Sequence, residues 1–491
     1  MDRLFTCREP MESMNKKTAK ILLVTMPDVA MSFKRIGDIP NLGLASLAAA
    51  LPEHEVRILD LHKVFKRVSS RLMQEVQEFQ PDIIGFSSMS YQFSTARKLA
   101  KILKDYNPNI PIVLGGYHAS MTYMNFAEED SALFDFLVRG EGETPFRSLV
   151  NTILSGQNEF SDIASVSHHQ KKWVHNPAAK LEDVNVLPLP KRDARVIKDF
   201  NLFGKKIDTV ETSRGCTLPC NFCSISKMYG PTFRLYSIKR VIEDISSCKA
   251  AGTEIIFFVD DNITLDIPRF KELCSEIIRN GLDDIEYITQ VSVNGMAKDP
   301  ELAELMGKAG FNLVFLGIEN VSPEQLKEMK KGDIRKATER AIAYCHDNGI
   351  AVMGGFIAGL PDDGKKEIKY LFQQARRLGV DHIMVQCVTP YPNTELRENY
   401  LKAGLVENID DFSLYNGYIC NVKTKKLSTG QLNRLLNWEN IKLYFNPNYI
   451  RANRMLQRKD ASKWVKRVFI NSLEHFPAYF TNKLFLSKHS L

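Results

Sequence analysis

The feature that most constrains this chain of 491 residues is a double alternation of short apolar runs with helical patterns. The first alternation predicts five strands, at residues 21–25, 56–60, 82–86, 110–114 and 134–138. Helical periodicity fills the intervals at residues 41–51, 67–79 and 94–105. Strands that alternate with helices form a parallel sheet covered on both faces, so we expect a doubly wound α/β domain.

The second alternation predicts six further strands, at residues 208–212, 254–259, 285–291, 313–318, 351–357 and 382–387. Predicted helices separate them at residues 238–249, 268–279, 300–308, 336–348 and 365–378. Six such units fall short of the eight of a complete barrel, which indicates a partial (βα)6 barrel.

These patterns divide the chain into five segments. We expect an N-terminal extension (1–18), a doubly wound domain (19–154), a linker or small bridging element (155–205), the barrel (206–395) and a helical basic domain (396–491). Pro177, Pro188 and Pro190 support the assignment of the linker.

Composition excludes several protein classes. Apolar residues make up 44% of the chain and charged residues 25%, as in ordinary globular proteins. No uncharged apolar run reaches the ~18 residues of a membrane span. The N-terminus lacks an apolar segment typical of a secretion signal, and nine scattered cysteines do not resemble a disulfide framework. We therefore expect a cytoplasmic protein in a reducing compartment.

Positive charge is concentrated at the C-terminal end. Residues 421–491 hold 14 Lys and Arg residues against 3 acidic residues, whereas the rest of the chain is slightly acidic. This distribution does not indicate a nucleic-acid-binding protein. The stretch around Trp464 and Leu473 is amphipathic. It predicts either weak peripheral contact with an anionic membrane or a helix packed on the barrel.

The most specific motif is a group of three cysteines, Cys216, Cys220 and Cys223, directly after the first strand of the barrel. Gly215 and Pro219 favour a loop in which three thiolates converge. A structural zinc site normally takes four ligands, and the next cysteine, Cys248, lies in a predicted helix. Three thiolates on a [4Fe–4S] cluster leave one iron open for a substrate, so we favour a cluster over zinc.

This spacing, with Phe222 before the last cysteine, resembles the radical S-adenosylmethionine superfamily. The resemblance implies that the open iron chelates S-adenosylmethionine, whose reductive cleavage gives a 5′-deoxyadenosyl radical. It also implies that cofactor-binding residues lie at later strand ends, near Val259-Asp-Asp-Asn262, Gly317-Ile-Glu-Asn320 and Gly355–Pro361. The candidates are Asp260, Asp261, Asn262, Gln290, Ser292, Glu319 and Gly359.

Structural alternatives exist for these residues. Asp260 and Asp261 could cap a helix, because acidic residues favour that position. Glu319 could cap the helix after Val321, and the glycines Gly355 and Gly359 could simply allow close packing. The order of the segments after the cysteines favours the functional interpretation.

The first 150 residues resemble the cobalamin-binding domain that precedes many radical S-adenosylmethionine enzymes. The resemblance depends on strand-end segments, and it marks Ser87, Ser88, Gly115, Gly116, Glu141 and, as a wall or tail contact, His118. Residues 25–37 lack the histidine that ligates cobalt in related domains. That difference implies cobalamin bound with its tail base off the cobalt. It also leaves open a domain without cobalamin, or a generic doubly wound domain.

Together the resemblances imply a cobalamin-dependent radical S-adenosylmethionine methyltransferase acting on an unactivated carbon. The basic C-terminal segment favours an apolar, lipid-like substrate. Such an enzyme needs a low-potential electron donor such as a flavodoxin or ferredoxin. Two alternatives remain. One is a radical cyclisation, rearrangement or coupling without methyl transfer, and the other is a non-catalytic cobalamin sensor.

Overall fold

The structure, a computed structural model, describes residues 18–28, 38–64 and 67–453. Its first sheet has the strand order β2-β1-β3-β4-β5-β6-β7. The strands are β1 (Lys20–Thr25), β2 (Glu55–Asp60), β3 (Ile83–Ser87), β4 (Ile112–Gly115), β5 (Phe136–Val138), β6 (Val166–His169) and β7 (Trp173–His175). The helices are α1 (Leu42–Ala49), α2 (Val68–Phe79), α3 (Phe93–Tyr106), α4 (Tyr117–Thr122) and α5 (Glu143–Leu154).

Strand β1 is buried on both faces, which explains its continuous apolar sequence. Leu22 and Val24 pack with residues of α2 and α3 on one face. Ile21 and Leu23 pack with residues of α1 and α5 on the other. Strands β1 to β5 are parallel, so the doubly wound sheet is confirmed.

The segment expected to be a linker is structured. Strands β6 and β7 form an antiparallel hairpin that extends the sheet beyond β5. These strands are only four and three residues long, too short for a reliable alternation signal. Arg192 and Arg195 then bind Asp208 of the next domain at 3.1 and 2.7 Å. Residues 155–205 therefore contact both domains, through the hairpin on the first sheet and through the two arginines on the second domain.

The second sheet follows the order β16-β15-β14-β13-β12-β9-β8, and the two-stranded ladder β10-β11 lies beside it. The strands are β8 (Asn201–Leu202), β9 (Lys205–Val210), β10 (Ser213–Arg214), β11 (Arg234–Leu235), β12 (Ile255–Phe258), β13 (Glu286–Ser292), β14 (Phe311–Glu319), β15 (Ala351–Ala358) and β16 (His382–Cys387). The helices are α6 (Ile225–Tyr229), α7 (Ile238–Ala250), α8 (Ile267–Arg279), α9 (Val293–Lys298), α10 (Pro300–Lys308), α11 (Pro323–Glu328), α12 (Arg335–Asp347) and α13 (Lys365–Arg377).

Six strands of this sheet, β9 and β12 to β16, are parallel, and β16 pairs only with β15 among the described strands. The sheet is thus an open half-barrel, as the six units predicted. Its carboxyl ends face one side, where ligands of parallel sheets bind.

The C-terminal part is helical, with α14 (Glu395–Lys402), α15 (Thr429–Tyr444) and α16 (Pro447–Ala452). Leu432, Leu436 and Leu443 of α15 belong to the core of the barrel. The amphipathic stretch around Trp464 lies outside the described residues. In the described part of the chain, no helix is long and apolar enough to cross a membrane.

Candidate active site between the two sheets

The cysteine loop begins at β10 and ends at α6. Cys216, Cys220 and Cys223 are all half-buried. Burial raises the pKa of all three thiols, that of Cys223 to about 12, and the neighbouring thiols Cys220 and Cys216 add to the shift of Cys223. The three thiols are therefore close enough to affect one another's pKa, as binding to one cluster requires. Among the described residues, no three His, Cys, Asp or Glu side chains are grouped as a single metal ion would need.

Two aspartates at the end of β12 hold the start of this loop. Asp260 is buried and accepts hydrogen bonds from the Thr212 amide at 3.0 Å and the Thr212 hydroxyl at 2.7 Å, and also from the Ser213 hydroxyl. Asp261 accepts a hydrogen bond from the Gly215 amide at 3.2 Å. The carboxylate oxygens of Asp260 are thus occupied by hydrogen bonds that hold the start of the cysteine loop.

Gly215 shows why the loop needs a glycine at this point. Its φ is +88°, and a Cβ atom there would lie 2.4 Å from the carbonyl oxygen of Thr232. Only a glycine allows the loop to approach the backbone so closely. The signal for this constraint was the glycine directly before Cys216.

Asp261 and Asn262 lie next to the thiols. The Asn262 side-chain oxygen accepts hydrogen bonds from the Thr264 amide at 3.2 Å and the Thr264 hydroxyl at 2.7 Å, and the Asp261 charge raises the pKa of Cys216 and Cys223. Burial raises the pKa of Asp261 itself to about 6. The alternative of a helix cap is wrong for Asp260 and Asp261, because Asp266 caps α8.

Glu319 lies at the end of β14 in a left-handed conformation, with a φ of 64°. Its carboxylate pairs with Lys331 at 3.0 Å, and Gly317 leaves room for it, since a Cβ there would lie 2.7 Å from Glu319 Oε1. Ser322, and not Glu319, caps α11. Such strain at a polar residue is typical of a functional position.

The other predicted barrel residues have structural contacts. Gln290 donates to the carbonyl oxygen of Asp260 at 3.4 Å. Ser292 caps α9 and bonds the Thr264 hydroxyl at 3.0 Å. Gly359 has a φ of +96° and faces Leu432 of α15, since its Cβ would lie 3.0 Å from Leu432 Cδ2. The packing alternative therefore describes Gly359 well, and Ser292 uses its hydroxyl within the protein.

Sequence analysis missed Lys331, which is nearly buried beside the cysteine loop. Burial opposes its charge, but Glu319 and the Cys220 thiol raise the pKa of Lys331. A buried ammonium group near three thiols favours their ionised form. The only signal in the sequence was a Lys–Lys pair in a polar stretch, which is ordinary for a solvated surface.

Four of the predicted residues of the first domain line a cavity of about 320 Å³ at the carboxyl ends of β1, β3, β4 and β5. They are Ser87, Gly115, Gly116 and Glu141. Gly116 has a φ of +86°, and a Cβ there would lie 2.9 Å from the Ser88 carbonyl oxygen. The inner wall is apolar and includes Leu23, Val113 and Phe146.

Two predicted residues, Ser88 and His118, are not part of that lining. The Ser88 hydroxyl donates to the carbonyl oxygen of Met89 at 2.9 Å. The His118 ring is buried and stacks on Phe93 with ring centroids 3.9 Å apart. Burial lowers the pKa of His118 to about 3, so the ring is neutral. The wall or tail contact of His118 stays a prediction, and in this structure the ring packs against aromatic residues outside the cavity lining.

An ion-pair cluster joins the cavity to the cysteine loop. Arg214, two residues before Cys216, pairs with Glu211 at 2.9 Å, Glu143 at 2.7 Å and Glu141 at 3.5 Å. Arg214 and Asp261 also line the cavity. Asp261 therefore borders both the cavity of the first domain and the thiols of the barrel. The cavity and the cysteine loop therefore adjoin at Asp261.

Family models match both halves of this site. A B12-binding domain matches residues 30–150, and the radical SAM superfamily matches residues 210–375. An uncharacterised methyltransferase of Pyrococcus horikoshii is 31% identical over 88% of this chain and 94% of its own length. The chain belongs to the radical S-adenosylmethionine enzymes that carry a cobalamin-binding domain.

Two further proteins are less similar to this chain. The hopanoid C-3 methylase of Methylococcus capsulatus is 27% identical over 75% of this chain and 70% of its own length. The radical S-adenosylmethionine methyltransferase TsrM of Kitasatospora setae, solved with cobalamin and a [4Fe–4S] cluster bound, has the same fold. It has a TM-score of 0.64 at 20% identity, with coverage of 79% of this chain and 75% of that one.

Proposed function

We propose that this chain methylates an unactivated carbon of an organic substrate, with a [4Fe–4S] cluster on Cys216, Cys220 and Cys223 and with cobalamin in the cavity of the first domain. The observation that carries the proposal is the position of Asp261, which borders both the thiols and the cavity. A radical generated at one cofactor and a methyl group carried by the other must meet at one substrate carbon. A continuous site satisfies that requirement.

The residues fit these cofactors. The three thiols share one environment, and S-adenosylmethionine bound at the open iron of a cluster supplies radical chemistry. Lys331 and Glu319 lie beside Cys220 and provide opposite charges for the carboxylate and for the polar groups of that cofactor. Asp261 accepts a hydrogen bond from the Gly215 amide directly before Cys216 and lines the cavity on that side of the site.

The cavity fits the nucleotide tail of cobalamin. Its apolar inner wall suits an aromatic base, and the backbone at Gly115 and Gly116 lets a bulky group approach the strand ends. Among the described residues that line it there is no histidine, which agrees with a base-off mode. The loop that would carry a ligating histidine lies largely outside the described residues, so this mode stays a proposal.

The test is anaerobic reconstitution of the full chain with iron, sulfide and hydroxocobalamin, followed by S-adenosylmethionine and a low-potential reductant. We expect 5′-deoxyadenosine and S-adenosylhomocysteine by mass spectrometry once substrate is present. Release of 5′-deoxyadenosine alone would indicate a radical cyclisation, rearrangement or coupling without methyl transfer. Neither product, with cobalamin retained, would indicate a sensor.

We also propose an apolar, lipid-like substrate, a flavodoxin or ferredoxin as electron donor, and weak contact with the cytoplasmic face of a membrane. Two observations support the lipid class: the similarity to a hopanoid methylase and the net charge of +11 in residues 421–491. Each basic residue at an anionic surface contributes ~1 kcal/mol. Flotation with anionic and neutral liposomes at low and high salt tests this proposal, and absence of binding to anionic vesicles at low salt would contradict it.

A further inference from the structure

A second cavity of about 200 Å³ lies on the other side of the loop that follows β5. The roles proposed above give this cavity no ligand. Its walls come from the end of β5, from residues 178–187 and from α6, which directly follows the cysteine loop. It shares only Gly140, Glu141 and Glu143 with the first cavity. This position connects it to both halves of the active site.

The cavity contains a buried cation without a carboxylate partner. Arg139 is 7% exposed, and among the described residues no Asp or Glu oxygen lies within 4 Å of its guanidinium group. Its Nη2 atom donates to the carbonyl oxygens of Asn176 and Val166, and Nε has no partner. The group lies over the Tyr123 ring, 4.3 Å from its centroid. A buried charge is normally paired, so this one indicates a missing anion.

Neighbouring groups show the same imbalance. After burial, the Arg139 charge is the next cause that lowers the pKa of His175. Lys180 and Lys227 also line the cavity, and neither lies within 4 Å of a carboxylate in the described part of the chain. Arg234 contributes an Nε donor that has no partner.

The acidic residues of the wall do not cancel this charge. Glu141 is bound by Arg234 and Arg214, and Glu143 is bound by Arg214. Glu182 accepts a hydrogen bond from the Thr144 hydroxyl at 2.9 Å. Four cations against three carboxylates leave the cavity positive, with Arg139 as its most buried cation.

We propose that this cavity binds an oxyanion, a phosphate ester or a carboxylate, through the guanidinium of Arg139 and the ammonium groups of Lys180 and Lys227. A volume of about 200 Å³ holds a tetrahedral anion with part of an attached organic group. The anion comes from one of two sources. It is the phosphodiester of the cobalamin nucleotide, which depends on the proposed function, or it is a separate anionic small molecule.

Titration of the full chain with inorganic phosphate, at constant ionic strength against chloride, tests the site by calorimetry and thermal unfolding. We expect saturable binding of phosphate and sulfate. Arg139→Met should weaken that binding about tenfold or more, because it removes a charge-assisted pair, and Arg139→Lys should restore part of it. Lys180→Ala and Lys227→Ala, at the exposed rim, should each weaken it severalfold and keep the fold intact.

Lys336→Ala, at an exposed lysine of α12, is the matched control and should leave phosphate binding unchanged. Two results would overturn the site: no saturable binding of phosphate or sulfate, or binding that none of the Arg139, Lys180 and Lys227 variants weakens. If Arg139→Met does not fold, phosphate binding by Lys180→Ala and Lys227→Ala decides whether the cavity is the anion site.

Corrinoids distinguish the two sources. Competition by cobalamin but not by cobinamide, which lacks the nucleotide, assigns the anion to the phosphodiester. Phosphate binding that persists in cobalamin-loaded protein assigns it to a separate molecule. A chain that binds phosphate but retains no cobalamin would contradict the proposed function and leave the anion site standing.

Discussion

Both halves of the site lie at the carboxyl ends of parallel strands, one half in each sheet, but the residues that follow the strands differ in kind. In the barrel, acidic side chains hold the start of the cysteine loop, since Asp260 accepts hydrogen bonds from Thr212 and Ser213 and Asp261 accepts one from Gly215. In the first domain, Gly115 and Gly116 leave space, and the inner wall of the cavity is apolar. A small cluster that forms bonds needs ligands held in place, whereas a large cofactor needs room. Strand ends can supply either, depending on which residues follow the strand.

We expect the largest effect from substitutions of the three thiols in the barrel half of the site. Replacing Cys216, Cys220 or Cys223 with Ala should abolish cluster iron and all formation of 5′-deoxyadenosine, because three thiolates hold the cluster. Iron content and product release measure the effect. Cys274→Ala is the control, since this thiol is buried in α8 and should keep full iron content. A triple-alanine variant that still cleaves S-adenosylmethionine would disprove the assignment.

Asp260 tests whether the barrel side depends on side-chain anchors. Asp260→Ala should lower the free energy of unfolding by about 3–5 kcal/mol and reduce iron content, since it leaves several buried donors without an acceptor. Urea unfolding and iron analysis measure both. Asp266→Ala, which removes the cap of the adjacent helix, should cost only about 1 kcal/mol and spare the iron. Equal losses in the two variants would mean that Asp260 has no special link to the cysteine loop.

Gly116 tests whether the first domain depends on empty space. Gly116→Ala combines a left-handed backbone with a contact of 2.9 Å to Ser88, and we expect a loss of about 2–4 kcal/mol and weaker corrinoid binding. Gly140→Ala, also left-handed but without an atom within 4 Å, should cost about 1–2 kcal/mol. Denaturant unfolding and cobalamin titration separate strain from steric conflict. The two variants should not behave alike.

The smallest effect concerns His118, which the cavity does not use. Its pKa is lowered to about 3 by burial, so the folded state favours the neutral ring. The stabilisation is complete above the ordinary value of 6.5 and is lost as pH falls toward 3. Between pH 6.5 and pH 5 we expect a loss of about 2 kcal/mol from this ring.

His118→Phe should remove that pH dependence, as unfolding at pH 5 and pH 7 would show. Phe93→Leu, which loosens the same aromatic cluster but keeps the histidine, should lower stability by similar amounts at both pH values. A His118→Phe variant as acid-sensitive as the unaltered chain would show that the ring is not desolvated.

The local sequence was sufficient to predict where the parallel strands lie in the chain and that the three cysteines occupy one loop. The strands were predictable because parallel strands buried on both faces are continuously apolar, as β1 is. The cysteine loop was predictable because its three cysteines are near neighbours along the chain. The hairpin β6–β7 was missed because its strands are short and antiparallel at the sheet edge.

Tertiary structure alone decided which polar residues meet. Arg214 binds Glu143 across the two domains, and Lys331 reaches Glu319 and the thiols from the far end of α11. His118 follows a strand end as the other predicted residues do, and its ring contacts Phe93 and Phe412, which are remote from it in the chain. The physical reason is the same in each case. Pairing and burial depend on distances between segments that are remote in the chain, and neither residue type nor spacing encodes those distances.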